Sequence, residues 1–336
     1  RVVMARALLK EPALLILDNP FQGLDTQYTE YFCSTIIPSL QESGVNIILV
    51  TNETDRIPDV VSHIFYVDSF RAAASGAVSD VKPYLEKSAE TISGSQLTNA
   101  LKKIAESKKI RKKPKPDTCI KMTNVTVSYG TKKILSNFSW VVKNGENWAV
   151  LGANGSGKTT LLSLVLGDHP QAYANSIEVL GKRLGKGANL WDIKKGIGWV
   201  SPELQTCYPL NTSCLDVVLS GYFDSIGLFK RCSSQKRKFA KELFSMFNLS
   251  HTENWPLGSA SEGVQRIVLL MRAIVKMPDI LVLDEPCQGI PPNYRKIIFS
   301  VIETLAQDGN CTVIFVTHQL NELPLCITNT LNLEQC

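Results

Sequence analysis

The sequence has no long hydrophobic run. No apolar stretch approaches the ~18 residues that a helix needs to cross a bilayer, so a helical span within these residues is excluded and any membrane role needs a partner. Paired cysteines are missing too. The nine cysteines are scattered, none in C-x-x-C spacing and none set with His at zinc-finger intervals. That excludes a zinc module and a disulfide framework, and leaves reduced thiols in a cytosol-like compartment as the expectation. An initiating Met is lacking: the chain opens Arg1-Val2-Val3-Met4-Ala5. It is therefore expected to be a piece whose N-terminal part is missing, and no signal peptide can be sought. A net basic charge is lacking outside one stretch. The net charge is +5, yet residues 102–115 hold eight Lys and Arg against Glu106 alone, about +7, leaving about −2 elsewhere. That is no general nucleic-acid footprint. What remains is an ordinary globular composition, 44% hydrophobic and 20% charged over 336 residues, enough for two domains or one and a part.

One stretch organises the rest. Gly152-Ala153-Asn154-Gly155-Ser156-Gly157-Lys158-Thr159-Thr160 follows the apolar run Trp148-Ala149-Val150-Leu151 and precedes a second apolar run, Leu161 to Leu166. Strand, glycine-rich turn and helix start form the context in which G-x-x-x-x-G-K-[ST] is a phosphate loop. Glycines let several backbone N–H groups point at nucleotide phosphates, and the helix N-terminus adds partial positive charge. The pattern assigns Lys158 to the β- and γ-phosphates and the Thr159 hydroxyl to Mg²⁺. The expected ligand is a nucleoside triphosphate.

The chain also repeats itself. Arg1 to Pro20, with the apolar run Ala13–Leu17 ending in Asp18, matches Arg266 to Pro286 with one inserted residue. Phe21-Gln22-Gly23-Leu24 matches Cys287-Gln288-Gly289-Ile290, and Val50-Thr51-Asn52 matches Val316-Thr317-His318. This predicts a duplicated unit with a truncated first copy: residues 1–68 as the end of copy one and 118–336 as a nearly complete copy two. Both copies are expected to contain buried parallel strands. Residues 69–117 read as a connector, with helical spacing over 82–113 and an extended Pro114-x-Pro116 end. Its lysines form either a solvated face or a contact with nucleic acid or a membrane surface. Residues 208–255 read as mostly helical.

In copy two the chemistry-bearing residues form a set. Asp284 ends an apolar strand and is expected to complete a Mg²⁺ site. Glu285 can polarise a water toward the γ-phosphate, and His318 can hydrogen-bond that water or the phosphate. Tyr129 stands where an aromatic ring can stack on adenine. Singly, Glu285 is an ordinary solvated carboxylate and His318 an ordinary loop histidine. As a set they are expected to converge at strand C-termini of a parallel sheet.

This arrangement resembles the ATP-binding cassette (ABC) family over nearly the whole chain. The tandem form without membrane segments resembles its ModF/PhrA-type group, described as molybdenum-transport ATP-binding or photorepair proteins. Three stretches carry that closer likeness: Gly167 to Asn175, Trp191 to Lys195, and Ser220 to Gly227. The resemblance implies an α/β P-loop NTPase fold, with a parallel core sheet, an antiparallel β subdomain and a helical subdomain, preceded by a partial second copy. It implies ATP and Mg²⁺ as ligands, ATP hydrolysis, and head-to-tail pairing of the two units within the chain. In such a pair each ATP lies between one unit's phosphate loop and the other's L-S-G-G-Q signature. The matching stretch here is Ala260-Ser261-Glu262-Gly263-Val264, where only Ser261 and Gly263 survive. A carboxylate at Glu262 facing a phosphate is repelled by ~4 kcal/mol at about 4 Å and moderate screening.

The departures from the family pattern sort by site. Asn19 stands for the catalytic Glu, Asn52 for the His, and Pro291 for an Asp facing the first site. The intact Asp25 is expected to serve the second site, with Glu285 and His318. The first unit's signature is expected to lie before Arg1, so the 336 residues alone should hydrolyse little ATP. Pro202 replaces a Gln that usually meets Mg²⁺ and a membrane partner; Gln205 or Glu203 stands nearby as a substitute. The resemblance implies transport energised through a separate membrane protein. The alternatives are a factor acting on nucleic acid or the ribosome, or an ATP-dependent scaffold. The expected place is the cytoplasm, with a mitochondrial or membrane-peripheral location as the alternative.

Overall fold

The computed structural model describes residues 6–21, 26–51, 57–68, 71–88, 116–185, 187, 189–307, 311–318 and 323–333. The chain divides into two compact units, Arg1–Thr91 with Cys287–Arg295, and Ile92–Pro286 with Lys296–Cys336. Asp25, Asn52 and the basic run 102–115 lie outside the described residues.

In the smaller unit, strand β1 (Leu14–Asp18) leads to the helices α1 (Thr26–Tyr31) and α2 (Ile37–Glu42) and then to β2 (Asn46–Val50). β1 and β2 pair in parallel, Leu14 opposite Asn46 through Asp18 opposite Val50. Phe21, Phe32 and Ile37 form a small core, the two rings edge to face at 6.0 Å. The expectation of a buried strand is corrected here. Only Leu15 of β1 is buried, while Leu14, Ile16, Ile48 and Val50 are exposed. Burial of a parallel strand needs layers on both faces, and among the described residues this pair has no further strand beside it.

β3 (His63–Asp68) then pairs antiparallel with β4 (Arg71–Ala77), and α3 (Val78–Ser88) follows. The connector composition of Ala72-Ala73-Ala74-Ser75-Gly76 hid β4. Backbone hydrogen bonds to β3 hold it, and these do not depend on strand propensity.

The larger unit carries two sheets. β5 (Thr118–Tyr129), β6 (Lys132–Lys143), β8 (Ser176–Val179) and β9 (Lys182–Arg183) form an antiparallel sheet in the order β6-β5-β8-β9. β7 (Trp148–Leu151), β10 (Ile197–Val200), β11 (Ile280–Asp284), β12 (Thr312–Thr317) and β13 (Asn329–Asn332) form a parallel sheet in the order β10-β11-β12-β7-β13. β11 and β12 are buried along their whole length, as continuous apolar runs covered on both faces should be. The helices are α4 (Lys158–Leu166), α5 (Leu190–Lys194), α6 (Pro202–Cys207), α7 (Cys214–Ser220), α8 (Ser234–Met246), α9 (Glu262–Ile274) and α10 (Pro292–Ala306). One apolar cluster joins both sheets and α4, from Ile120 and Val142 to Leu164, Val282 and Ile314. Among the described residues no helix is long and apolar enough to cross a membrane.

Candidate functional site

The register of the parallel sheet builds the site. Leu151 of β7 lies opposite Thr317 of β12, and Val316 of β12 lies opposite Asp284 of β11. The residues just beyond three neighbouring strand ends are therefore Gly152, His318 and Glu285. Sequence separations of more than 130 residues collapse onto one edge, because parallel strands in register must end together.

Gly152 (φ 153°) and Gly157 (φ 100°) bend the loop that leaves β7. A Cβ on Gly152 would stand 2.4 Å from Ser156 Oγ, and one on Gly157 would stand 2.8 Å from Ile134 Cγ2, so only glycine fits at either place. Lys158 opens α4, is buried, and donates from Nζ to Gly152 O at 2.6 Å and Ala153 O at 3.0 Å. Its ammonium thus turns into the loop that Ala153, Asn154 and Gly155 complete. Thr159 and Thr160 follow in the first turn of α4.

Across the edge, Glu285 takes φ 45° and donates its backbone N–H to Val316 O at 2.9 Å. Its carboxylate accepts from His318 Nδ1 at 2.8 Å and from Thr317 Oγ1 at 3.4 Å. An ionised carboxylate only accepts, so the His318 proton sits on Nδ1. Beside it, Asp284 is buried, and its pKa is pushed up to about 7, first by desolvation and then by the charges of Glu285 and Glu203; Lys158 and Arg266 pull the other way.

The smaller unit repeats this turn with different chemistry. Asn19 has φ 45° and donates its N–H to Val50 O at 2.8 Å, the counterpart of Glu285 and Val316. Glu11 (φ 46°) and Met277 (φ 53°), each before a proline, are a second such pair. The backbone of the repeat survives where the carboxylate does not: Asn19 Nδ2 donates to Asp18 Oδ1 at 3.2 Å.

Ser261, Glu262 and Gly263 begin α9. Ser261 is its N-cap, accepting from Val264 N–H at 3.4 Å, and Glu262 places an acid in the first turn. Both suit a helix start, the cap contributing about 1 kcal/mol and the acid complementing the helix dipole. Pro291 accepts from Tyr294 N–H at the start of α10.

Three sets of contacts go beyond the sequence reading, the first two deciding between Gln205 and Glu203. Gln205 is committed elsewhere: its Nε2 donates to Gln265 Oε1 at 2.7 Å, and Gln265 in turn donates to Ala260 O at 2.8 Å. Glu203, in the first turn of α6 after Pro202, is the member of that loop whose charge is felt at Asp284. Finally, the three stretches quoted for the group resemblance meet in space. Asp168 pairs with Lys194, whose carbonyl accepts from Lys276 Nζ at 2.7 Å, and Lys276 pairs with Asp224. Complementary charges in three separate stretches were the available signal.

A strand, a glycine loop closing on a lysine, and acidic residues at the neighbouring strand ends define a P-loop nucleoside-triphosphate-binding protein. The sequence pattern of the family described as "ABC transporter" matches residues 135–288. The chain is 38% identical over 336 residues to the ABC transporter ATP-binding protein ModF of Escherichia coli (strain K12), covering 98% of this chain and 68% of that protein. It is 31% identical to an uncharacterized ABC transporter ATP-binding protein of Schizosaccharomyces pombe, covering 99% of this chain and 66% of that one. A solved inward-facing structure of a putative metal-chelate type ABC transporter superimposes with a TM-score of 0.50 at 30% identity, over 65% of this chain and 79% of that chain. The chain belongs to the ABC ATP-binding protein family and is an ATPase of that type. It spans about two thirds of the length of these two curated relatives.

Proposed function

We propose that the larger unit holds ATP and Mg²⁺ at the ends of β7, β11 and β12 and hydrolyses the γ-phosphate there. The observation that carries this reading is the alignment of Gly152, Glu285 and His318 beyond three registered strand ends, with Lys158 turned into the loop. In it the backbone of Gly152 to Gly157, with Lys158 and Thr160, grips the phosphates, and Tyr129 faces the base. Glu285 takes the proton of the attacking water, and His318, donating to Glu285, keeps that carboxylate aimed. Mg²⁺ fits the residues present. The repulsion among Asp284, Glu285 and Glu203 is what a divalent cation relieves, and the Ser156 hydroxyl is buried with no hydrogen-bond partner among the described residues. Thr159 and Asp284 are the proposed holders, and bound Mg²⁺ supplies charge neutralisation at the phosphates.

In the smaller unit Asn19, an amide, cannot serve as a general base. The proposed organisation is a partial first unit that takes in β4 and α3 and runs to Thr91, a linker from there to residue 117, and 118–336 as the active unit. Lys158→Ala is the direct test. Calorimetry should show ATP binding weakened by roughly tenfold or more, about 1.4 kcal/mol. Wild-type affinity in that variant would remove the reading.

The proposed work is energising transport through a separate membrane protein, in the cytoplasm. The names of the relatives support this, and co-purification of an integral membrane protein tests it. One observation favours a second reading, a nucleic-acid partner. Residues 226–252 hold Lys230, Arg231, Lys236, Arg237, Lys238 and Lys241 against Glu242 alone, about +5. Phe229, next to Lys230 in sequence, is 83% exposed, and Lys236 lies over the Tyr222 and Phe223 rings at 4.7 and 4.9 Å. If this face binds RNA, affinity should fall steeply with salt, and charge reversal at Arg237 and Lys238 should flatten that slope by about two contacts. Salt-independent or absent RNA binding leaves transport alone.

A further inference from the structure

Gly167-Asp168-His169-Pro170-Gln171-Ala172-Tyr173-Ala174-Asn175 follows α4 and has no part in phosphate chemistry. Three of its polar side chains, those of His169, Gln171 and Asn175, are nonetheless turned to one task. Asn175 brackets the backbone of Thr126 on β5: Thr126 N–H donates to Asn175 Oδ1 at 3.0 Å, and Asn175 Nδ2 donates to Thr126 O at 3.1 Å. Gln171 does the same two residues on, accepting from Ser128 N–H at 3.2 Å and donating to Ser128 O at 2.8 Å. The next residue is Tyr129, the last of β5, and its hydroxyl lies 2.9 Å from His169 Nε2. The two rings meet edge to face, 5.7 Å apart at 85°.

The direction of that last bond follows from the other ring nitrogen. His169 Nδ1 accepts from Gln171 N–H at 3.1 Å, so in the neutral ring the proton is on Nε2 and donates to the Tyr129 oxygen. His169 is buried, whereas Tyr129 as a residue is 55% exposed. The tyrosine is therefore held at its hydroxyl end while a ring face stays open. The open ring stands near the phosphate loop. Tyr129 pairs with Lys132 at the start of β6, and Ile134, two residues on, packs against Gly157. α4 joins the two ends of this frame: it begins at Lys158 in the loop and stops at Gly167 (φ 71°), two residues before His169.

We propose that His169, with Gln171 and Asn175 behind it, is a positioning residue that fixes the Tyr129 ring as a platform for the nucleotide base. The inference rests on the reading of Tyr129 as the residue that meets the base. Held at its hydroxyl, Tyr129 offers the base a preset face, so less rotamer entropy is lost on binding.

The test compares two probes, ATP and inorganic tripolyphosphate, by calorimetry on the intact chain. Tripolyphosphate reports the phosphate loop without a base. His169→Ala should weaken ATP binding about fivefold to tenfold and leave tripolyphosphate affinity unchanged. Tyr129→Phe keeps the whole ring and loses only the held hydroxyl; it should weaken ATP comparably, and the double variant should be no worse than either single one. Equal losses for both probes in His169→Ala, or wild-type ATP affinity in Tyr129→Phe, would overturn the proposal. Tyr129→Ala separates the two readings. If it binds ATP normally, the base is not met by Tyr129. If it weakens ATP while His169→Ala and Tyr129→Phe do not, the platform stands and the positioning role of His169 is refuted.

Discussion

Glu285→Gln should lower ATP turnover by roughly 10²–10⁴-fold in the full-length protein while ATP still binds. The substitution keeps the shape of the side chain and the φ 45° turn that presents it. The amide oxygen can still accept from His318 Nδ1, which donates to Glu285 Oε1 at 2.8 Å. What is lost is the ability to take a proton, so the defect should lie in kcat, with little change in the affinity for nucleotide. Phosphate release under saturating ATP, set beside a calorimetric binding curve, measures both. Unchanged turnover would move the general base to another residue. Restoring a carboxylate with Asn19→Glu in the smaller unit should not rescue the rate, because the proposed competent site is the one at Glu285.

Asp284→Asn should have two opposite effects, which a purely structural aspartate would not show. Burial, then Glu285 and Glu203, raise the Asp284 pKa from 3.8 to about 7. For a carboxyl raised on folding, the contribution to stability is fully present below 3.8 and lost as pH rises through about 7. At pH 8 without Mg²⁺ the wild type therefore carries an ionised carboxylate whose burial and repulsion by Glu285 and Glu203 outweigh the pull of Lys158 and Arg266. The asparagine carries none, so its thermal midpoint in the absence of nucleotide and metal should be the higher one. The difference should grow between pH 4 and 7 and level off above. Its ceiling is a few kcal/mol, from ~1.4 kcal/mol per tenfold change in proton affinity. Mg²⁺ with ATP should reverse the order: the wild type gains stability from the complex, and the variant gains far less. A variant that melts below the wild type at pH 8 without ligand, or that responds to Mg²⁺ and ATP as the wild type does, would remove Asp284 from the metal site.

Most of the parallel sheet and the phosphate loop were legible in the sequence, because their signals are local. Runs such as Ile280–Asp284 and Thr312–Thr317 are continuous apolar stretches of strand length, and the loop glycines announce a turn by their conformational freedom. The internal repeat was legible for the same reason, and the structure matches it down to the paired left-handed turns at Asn19 and Glu285. β4 was not legible, since Ala, Ser and Gly have weak strand preference and it is pairing with β3 that makes the strand. The exposure of β1 was not legible either. Its residues are as apolar as those of β11, and only the layers around a strand decide whether it is buried.

By itself the sequence determined which chemical groups the protein carries and in what backbone setting: Lys158 after a glycine turn, Glu285 and Asn19 after matching strands, and His169, Gln171 and Asn175 after a helix. The tertiary structure alone decided which of them meet. It committed Gln205 to Gln265, brought the field of Glu203 to Asp284, joined His318 to Glu285, and set His169 against the hydroxyl of Tyr129. The physical reason is one of range. Backbone preference and apolar periodicity act over a few residues, whereas a hydrogen bond or a buried charge depends on distances of a few ångströms, and only the packed sheet closes those distances between residues tens to hundreds of positions apart.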